Sequence, residues 1–363
     1  MAVRFGRVAV LKLTPDPDAV EYRIHLTGLL QLMKICIFGA GAVGGVMAGW
    51  LEKAGHEVSL VARGANLAAF RSHGLRIRTN ATGEILTTRP RAESDPALLG
   101  VQDYVIVSVK GQSLPEVAQA IAPLIGPDTS IVTAMNGVPW WFFDRLAHGK
   151  GKLRLESLDP GGKLAEAIPT DRLVGCVIHC AASMPEPGLI NHNMGKKLIV
   201  GEPGGKNTAR TARIAEAFSA AGFECVSSGF IEKDFWVKLL GNVSFNPVSA
   251  LTLATADRMI GDPLLKAYMV AVMREVLAIG RAVGVDADID PEARIDMARA
   301  LGVFKTSMLQ DMQAGKALEI DGLLCGTLEV AKHAGVAAPF TESLLGLIRV
   351  RARVSGQYQP PAT

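Results

Sequence analysis

The sequence predicts an α/β Rossmann-type N-terminal domain with a mostly parallel sheet, followed by an all-α C-terminal domain. Three observations carry this. From residue 33 to about 229, short β-rich runs alternate with helical stretches, the pattern of a parallel sheet covered by helices. The run Gly39-Ala40-Gly41-Ala42-Val43-Gly44 fits G-x-G-x-x-G and lies between the first strand and the first helix. After residue 231 the texture changes to long helical patterns with few β-branched runs.

Taken in order, residues 34–38, 57–61, 104–109 and 130–133 read as buried strands. Residues 43–54 and 114–124 read as the intervening helices, the first closed by Gly55 at a C′ position. Residues 139–172 are longer and less regular than an ordinary connection and open with Trp140, Trp141, Phe142 and Phe143. They read as an insertion able to reshape or cover a site. Residues 173–183 and 188–200 are strand-like again, and 208–221 are helical. Helices are expected at 263–283, 291–301, 308–314, 319–334 and 341–353, with Asp262-Pro263 supplying an N-cap and a proline at N1.

The 363 residues leave room for two cores. A formal charge of +3, without a Lys/Arg run, gives no extended surface for neutralising phosphates, so neither nucleic acid nor membrane is expected as a partner. A small molecule is. Five scattered cysteines suit a reducing compartment, with the cytoplasm as the expected location. Residues 35–51 carry no charge, but their five glycines fit a strand, loop and helix better than a membrane span. Residues 1–32 lack a continuous apolar core and a cleavage pattern; they read as an N-terminal extension, disordered or a start-site artefact.

The glycine motif follows a strand and opens a helix, so its backbone can turn tightly and admit a pyrophosphate to the helix N-terminus. At the end of the second strand, where an acid would bind a free ribose 2′-hydroxyl, the chain has Val61-Ala62-Arg63. A guanidinium there can grip a 2′-phosphate, which favours NADPH over NADH. Lys110 and Asn136 follow successive strands, at the carboxyl edge where ligands bind in such sheets, although a solvated strand end and a simple Asn-Gly turn would look the same. The expected division is therefore 33–229 for NADPH binding, with the insertion at 139–172, and 230–363 for the substrate.

The most informative stretch is Phe235 to Pro247, where Lys238, Asn242 and Asn246 recur at i, i+4 and i+8. On a helix they form one polar stripe among apolar neighbours. Two carboxamides beside one ammonium can hold a carbonyl and a carboxylate, and partial burial would draw the lysine pKa toward neutrality, making it a proton donor. Helix–helix hydrogen bonds and a snorkelling lysine are the plainer alternative. Ser307 and Glu319 complete the set. Ser307 with Gln310 also matches a capping box, and Glu319 with Asp321 would suit the first turn of a helix.

This combination resembles the ketopantoate reductase (2-dehydropantoate 2-reductase) family from Met33 to about Arg353. The motifs are the glycine run, Val109-Lys110, Asn136-Gly137, Trp236-Val237-Lys238, Asn242, Asn246-Pro247, Ser307-Met308-Leu309-Gln310-Asp311 and Glu319-Ile320-Asp321. The resemblance implies NADPH-dependent reduction of a 2-keto acid to a 2-hydroxy acid, ketopantoate to (R)-pantoate in pantothenate biosynthesis, in a cleft between the domains. It implies Lys238 as proton donor and Asn136, Asn242, Asn246 and Ser307 as substrate ligands. It places Gly39, Ala40, Gly41, Ala42, Val43, Gly44, Arg63, Lys110, Asn136 and Ala181 against the cofactor, and gives Glu319 a catalytic place touching ribose and substrate. Two departures stand out: the insertion, and the absence of a further substrate asparagine near Thr255-Ala256. They leave room for a reductase of a bulkier 2-keto acid, and a catalytically silent NADPH-binding sensor is the alternative from another class. Pairing into a homodimer is allowed. No metal is expected: Cys176 and Cys180 with His179 would need a helical turn to share an ion, since in a strand residues four apart lie about 13 Å from each other.

Overall fold

The computed structural model describes residues 32–146 and 153–359. All of the expected N-terminal extension except Leu32 lies outside them, as do residues 147–152 of the expected insertion.

The first half alternates as its sequence dictates: β1 (Lys34–Phe38), α1 (Ala42–Lys53), β2 (Glu57–Val61), α2 (Gly64–His73), β3 (Leu75–Thr79), β4 (Ile85–Thr88), β5 (Arg91–Glu93), β6 (Tyr104–Val107), α3 (Leu114–Ala120), β7 (Ser130–Thr133), α4 (Lys163–Ala167), β8 (Leu173–Glu186), β9 (Leu189–Gly201), α5 (Ala209–Ala221) and β10 (Glu224–Ser227). These strands form one sheet in the order β4-β3-β9-β8-β7-β6-β1-β2-β5, with β10 also paired to β9. Pairing is parallel except at β3/β4 and β8/β9. β1 lies between β2 and β6, so the loops after β1 and β6 diverge and open a crevice at the carboxyl ends of the strands, the position where open α/β sheets bind ligands. β1 and β6 are buried on both faces, which is why their sequences read as unbroken apolar runs.

The elements between residues 64 and 93 were not expected. β4 alternates exposed and half-buried residues, and β5 has three residues at an edge. Such short, half-wet strands leave little apolar signal.

The expected insertion also has a different role. Trp140, Trp141, Phe142 and Phe143 are all buried. Trp141 stands edge-on to Phe235 at 5.5 Å between ring centroids and donates its indole N–H to the Thr133 hydroxyl at 3.1 Å, while Phe142 lies 5.4 Å from Trp236. This cluster is core that ties β7 to the long helix that follows the sheet, and it is neither exposed nor placed to act as a lid.

The rest is helical: α6 (Ile231–Thr252), α7 (Ala256–Gly261), α8 (Pro263–Ala282), α9 (Pro291–Ala300), α10 (Ser307–Gln313), a π-helical turn at Asp321–Cys325, α11 (Gly326–Ala334) and α12 (Pro339–Val354). α6 is buried along most of its length, and its Trp236 donates to the Val276 carbonyl of α8 at 3.0 Å. Asp262 caps α8 by accepting from the Leu265 N–H at 2.8 Å, as its sequence predicts. Two local expectations are corrected. Thr306, rather than Ser307, caps α10, accepting from the Leu309 N–H at 3.1 Å, and Gln310 donates to the Lys305 carbonyl. Glu319 precedes the helix, which begins at Ile320, so it does not sit in a first turn. Among the described residues no helix is long and apolar enough to cross a membrane.

Candidate active site

The glycine run makes the turn it was expected to make. Gly39 has φ +98°, its carbonyl accepts from the Ser108 hydroxyl at 2.8 Å, and a Cβ at Gly44 would lie 2.2 Å from that same hydroxyl oxygen. These two positions therefore require glycine. At Gly41 a Cβ would meet nothing within 4 Å, so the loop faces open space. Gly41 is the N-cap of α1 and has no side chain to cap it, leaving the first N–H groups of α1, from Ala42, Val43 and Gly44, available to an anion. Ala40 is buried behind the turn. The cradle fits a dinucleotide pyrophosphate. Arg63 lies just past β2, exposed and ion-paired with Glu116 at the start of α3, so a 2′-phosphate there would compete for it.

The reacting end is built on α6. Lys238 Nζ donates to Asn136 Oδ1 at 2.8 Å and to the Ile178 carbonyl of β8. The Asn136 side chain also stabilises the charged form of the Glu319 carboxylate. One asparagine thus acts on both the ammonium and the carboxylate. Burial pushes Lys238 down from 10.5 to about 8, against the pull of Cys176, Glu319 and Cys180. Burial, with the Asp311 charge, raises Glu319, opposed by Lys110, by the Asn136 amide and by Lys238. The turn that carries Asn136 is locked: the Val138 N–H donates to the Gly322 carbonyl at 2.9 Å, and Gly137, at φ +87°, would place a Cβ 2.3 Å from that carbonyl oxygen. Lys110 pairs with Asp311 at 2.8 Å and donates to the Ala317 carbonyl at 3.0 Å, spanning from the sheet to the helical part.

The asparagine stripe is present and open. Asn246 is buried and Asn242 half-buried, and neither carboxamide has a hydrogen-bond partner among the described residues. Carboxamides on a mostly buried helix that have no protein partner and still reach solvent are free to hydrogen-bond a polar ligand. Ser307 is exposed at the start of α10, beside Thr306, whose hydroxyl bonds Ser249 of α6. Ala181 is exposed on β8 beyond the bulge after His179. Cys176 and Cys180 lie on strand β8 and not on a helical turn. Sequence reasoning missed the Ile178 carbonyl, which no side-chain pattern can mark, and Asp311, visible in the Ser307–Asp311 run but without an assigned role.

The comparisons decide the family. Residues 35–205 match the model described as Ketopantoate reductase PanE/ApbA, and residues 231–352 match its C-terminal counterpart. A 2-dehydropantoate 2-reductase of Mesorhizobium japonicum is 40% identical over 90% of this chain and 100% of its own length. The chain belongs to the ketopantoate reductase family. A solved structure from Ralstonia solanacearum MolK2, provisionally described as a ketopantoate reductase, superposes with a TM-score of 0.86 at 47% identity, covering 90% of this chain and 100% of that one. D-mandelate dehydrogenase shares the fold, with a TM-score of 0.77 at 19% identity over 89% of this chain and 100% of that chain. As a ketopantoate reductase family member, the chain departs from its expected reading chiefly at the aromatic cluster. Its burial removes one of the two departures that left room for a bulkier substrate; the missing asparagine near Thr255-Ala256 stands.

Proposed function

We propose that this chain is an NADPH-dependent oxidoreductase that reduces ketopantoate to (R)-pantoate, in the reaction of pantothenate biosynthesis. The observation that carries the reading is the part-buried Lys238 ammonium held by Asn136 at 2.8 Å and drawn to about 8, with Glu319 acting on both and two unpartnered asparagine amides along the same helix. Binding alone would need the glycine cradle but no proton donor.

Bound NADPH supplies the hydride. Residues 33–229 hold it, with the first turn of α1 on the pyrophosphate, Arg63 on the 2′-phosphate, and Lys110, Asn136, Ala181 and Glu319 toward the nicotinamide end. Residues 230–363 hold the keto acid, with Asn242, Asn246 and Ser307 as neutral hydrogen-bonding groups. Lys238 points Nζ at the ketone oxygen and gives it a proton as negative charge develops there. Near neutral pH most of the ammonium is protonated, and its lowered pKa makes the transfer easier than from an ordinary lysine. Asn136 fixes the direction of the ammonium, the Val138–Gly322 backbone bond holds the turn that carries Asn136, and the Glu319 charge favours the protonated lysine.

Exposed Leu347, Val350 and Val354 along α12 support a homodimer, and five free thiols support a cytoplasmic setting. The test is steady-state NADPH oxidation with ketopantoate, beside larger 2-keto acids and an NADH control. Efficient turnover with ketopantoate and NADPH is expected; turnover with a larger acid alone would move the substrate, and tight NADPH binding without turnover would indicate a sensor.

A further inference from the structure

Beside the stripe of α6 lies a cation to which neither the sequence nor the family resemblance gives a role. Arg294, on α9, is half-buried, and its guanidinium has no hydrogen-bond acceptor or carboxylate partner among the described residues. Burial alone holds its pKa below the usual arginine value, with no opposing charge. Two other part-buried arginines do have acceptors: Arg210 pairs with Glu202, and Arg172 donates to the Gly126 and Pro127 carbonyls.

The position of Arg294 is built by a missing side chain. Gly241 is buried in α6, and a Cβ there would stand 2.9 Å from Arg294 Nη2 and 3.5 Å from Cζ. Glycine at 241 therefore opens the slot through which the arginine lies against the helix that carries Lys238 and Asn242. Residues three apart on a helix are neighbours, separated by roughly 4.5 Å along the axis. Burial lowers His179 of β8 to about 4, helped by Lys238, Lys197 and Arg294 in that order. The contact at Gly241 places the guanidinium within one helical turn of the lysine on α6.

A half-buried guanidinium gains from an anion, and its planar fork matches a carboxylate or a phosphate through two parallel hydrogen bonds; the carboxylate is the anion the keto acid brings. The substrate carboxylate otherwise meets only the neutral groups of Ser307 and the asparagines. We propose that Arg294 is a substrate-binding residue that takes the 1-carboxylate of the 2-keto acid and sets the preference for an ionised acid over its neutral ester. This rests on the reductase reading above and names how that site selects its substrate class.

The test compares the wild type with Arg294→Met and Arg294→Lys in the full chain, using ketopantoate and its methyl ester with NADPH. A parallel calorimetric titration with ketopantoate in the presence of NADP⁺ requires no turnover. The acid-to-ester ratio of kcat/KM is expected to fall about 10- to 100-fold in Arg294→Met, mainly through KM for the acid, as for a lost hydrogen bond to a charged group. Arg294→Lys keeps the charge without the fork and is expected to lose less, and it carries the test if the methionine variant does not fold. Calorimetric affinity for ketopantoate is expected to fall in step. An unchanged ratio with unchanged affinity overturns the assignment, as does an equal loss for acid and ester, which would mark a packing role. If the wild type reduces no 2-keto acid but binds ketopantoate through Arg294, the reductase reading fails and the carboxylate site stands; no binding by the wild type overturns both.

Discussion

Replacing Lys238 with methionine separates the two consequences of placing an ammonium inside this fold. The displacement from 10.5 to about 8 has burial as its main cause. At ~1.4 kcal/mol per pH unit, and allowing for the partial exposure of the side chain, holding the charged form costs the folded state on the order of 1–3 kcal/mol. Between about pH 8 and 10.5 the unfolded chain keeps a proton that the folded chain has released. Stability therefore rises with pH across that window and gains nothing from this group below it. Methionine has no proton to lose. Urea denaturation of both proteins from pH 7 to 10.5 is expected to show the wild type gaining on Lys238→Met by that amount as pH rises. Titrations of other groups, common to both proteins, cancel in the difference. Activity moves the other way: kcat should fall on the order of 10²–10⁴-fold in the variant while NADPH binding persists. Wild-type kcat/KM should decline above about pH 8, where the donor loses its proton, and the residual activity of the variant should lack that decline. Parallel stability curves would refute the burial argument. A variant that retained the alkaline decline would remove Lys238 as its source.

Three further perturbations test other parts of the site. Arg63→Ala should raise KM for NADPH on the order of tenfold or more while leaving KM for NADH nearly unchanged, because only the former carries the 2′-phosphate; equal effects on both cofactors would place Arg63 elsewhere. Glu319→Gln retains a hydrogen-bonding group for Asn136 but removes the charge that helps keep Lys238 protonated, so the alkaline decline of kcat/KM should move to lower pH, and an unmoved profile would show that the two groups are uncoupled. Trp141→Ala should cost about 3–5 kcal/mol in denaturant unfolding, as expected for removing a fully buried indole; a loss under about 1 kcal/mol would mean the aromatic cluster is not core.

Where periodicity and burial coincide, the sequence was readable. β1 and β6 are buried on both faces and stand out as apolar runs, and the glycine run sits where a strand passes into a helix. The stripe of Lys238, Asn242 and Asn246 was legible because a helix converts spacing into a shared face without reference to the rest of the chain. Features that depend on distant partners were not. Trp140–Phe143 resembled an insertion because nothing local announces that Phe235 and Trp236 will cover them. The grouping of Lys238, Asn136 and Glu319 draws residues from three separate segments, and the Ile178 carbonyl that also receives the ammonium is backbone. Thr306 and Ser307 are adjacent hydroxyls, and only the backbone path into α10 decides which of them caps.

The central claim is that this site delivers a hydride to a 2-keto carbon while Lys238 supplies the proton. Its most direct measurement is isotopic: incubate the protein with ketopantoate and NADPH carrying deuterium at both C4 positions, and read the product by NMR. One deuterium at C2 of pantoate is expected, formed in step with cofactor oxidation, with loss of that signal in Lys238→Met. Cofactor oxidation that leaves no deuterium in pantoate, or labelling that persists at the wild-type rate in Lys238→Met, would contradict it.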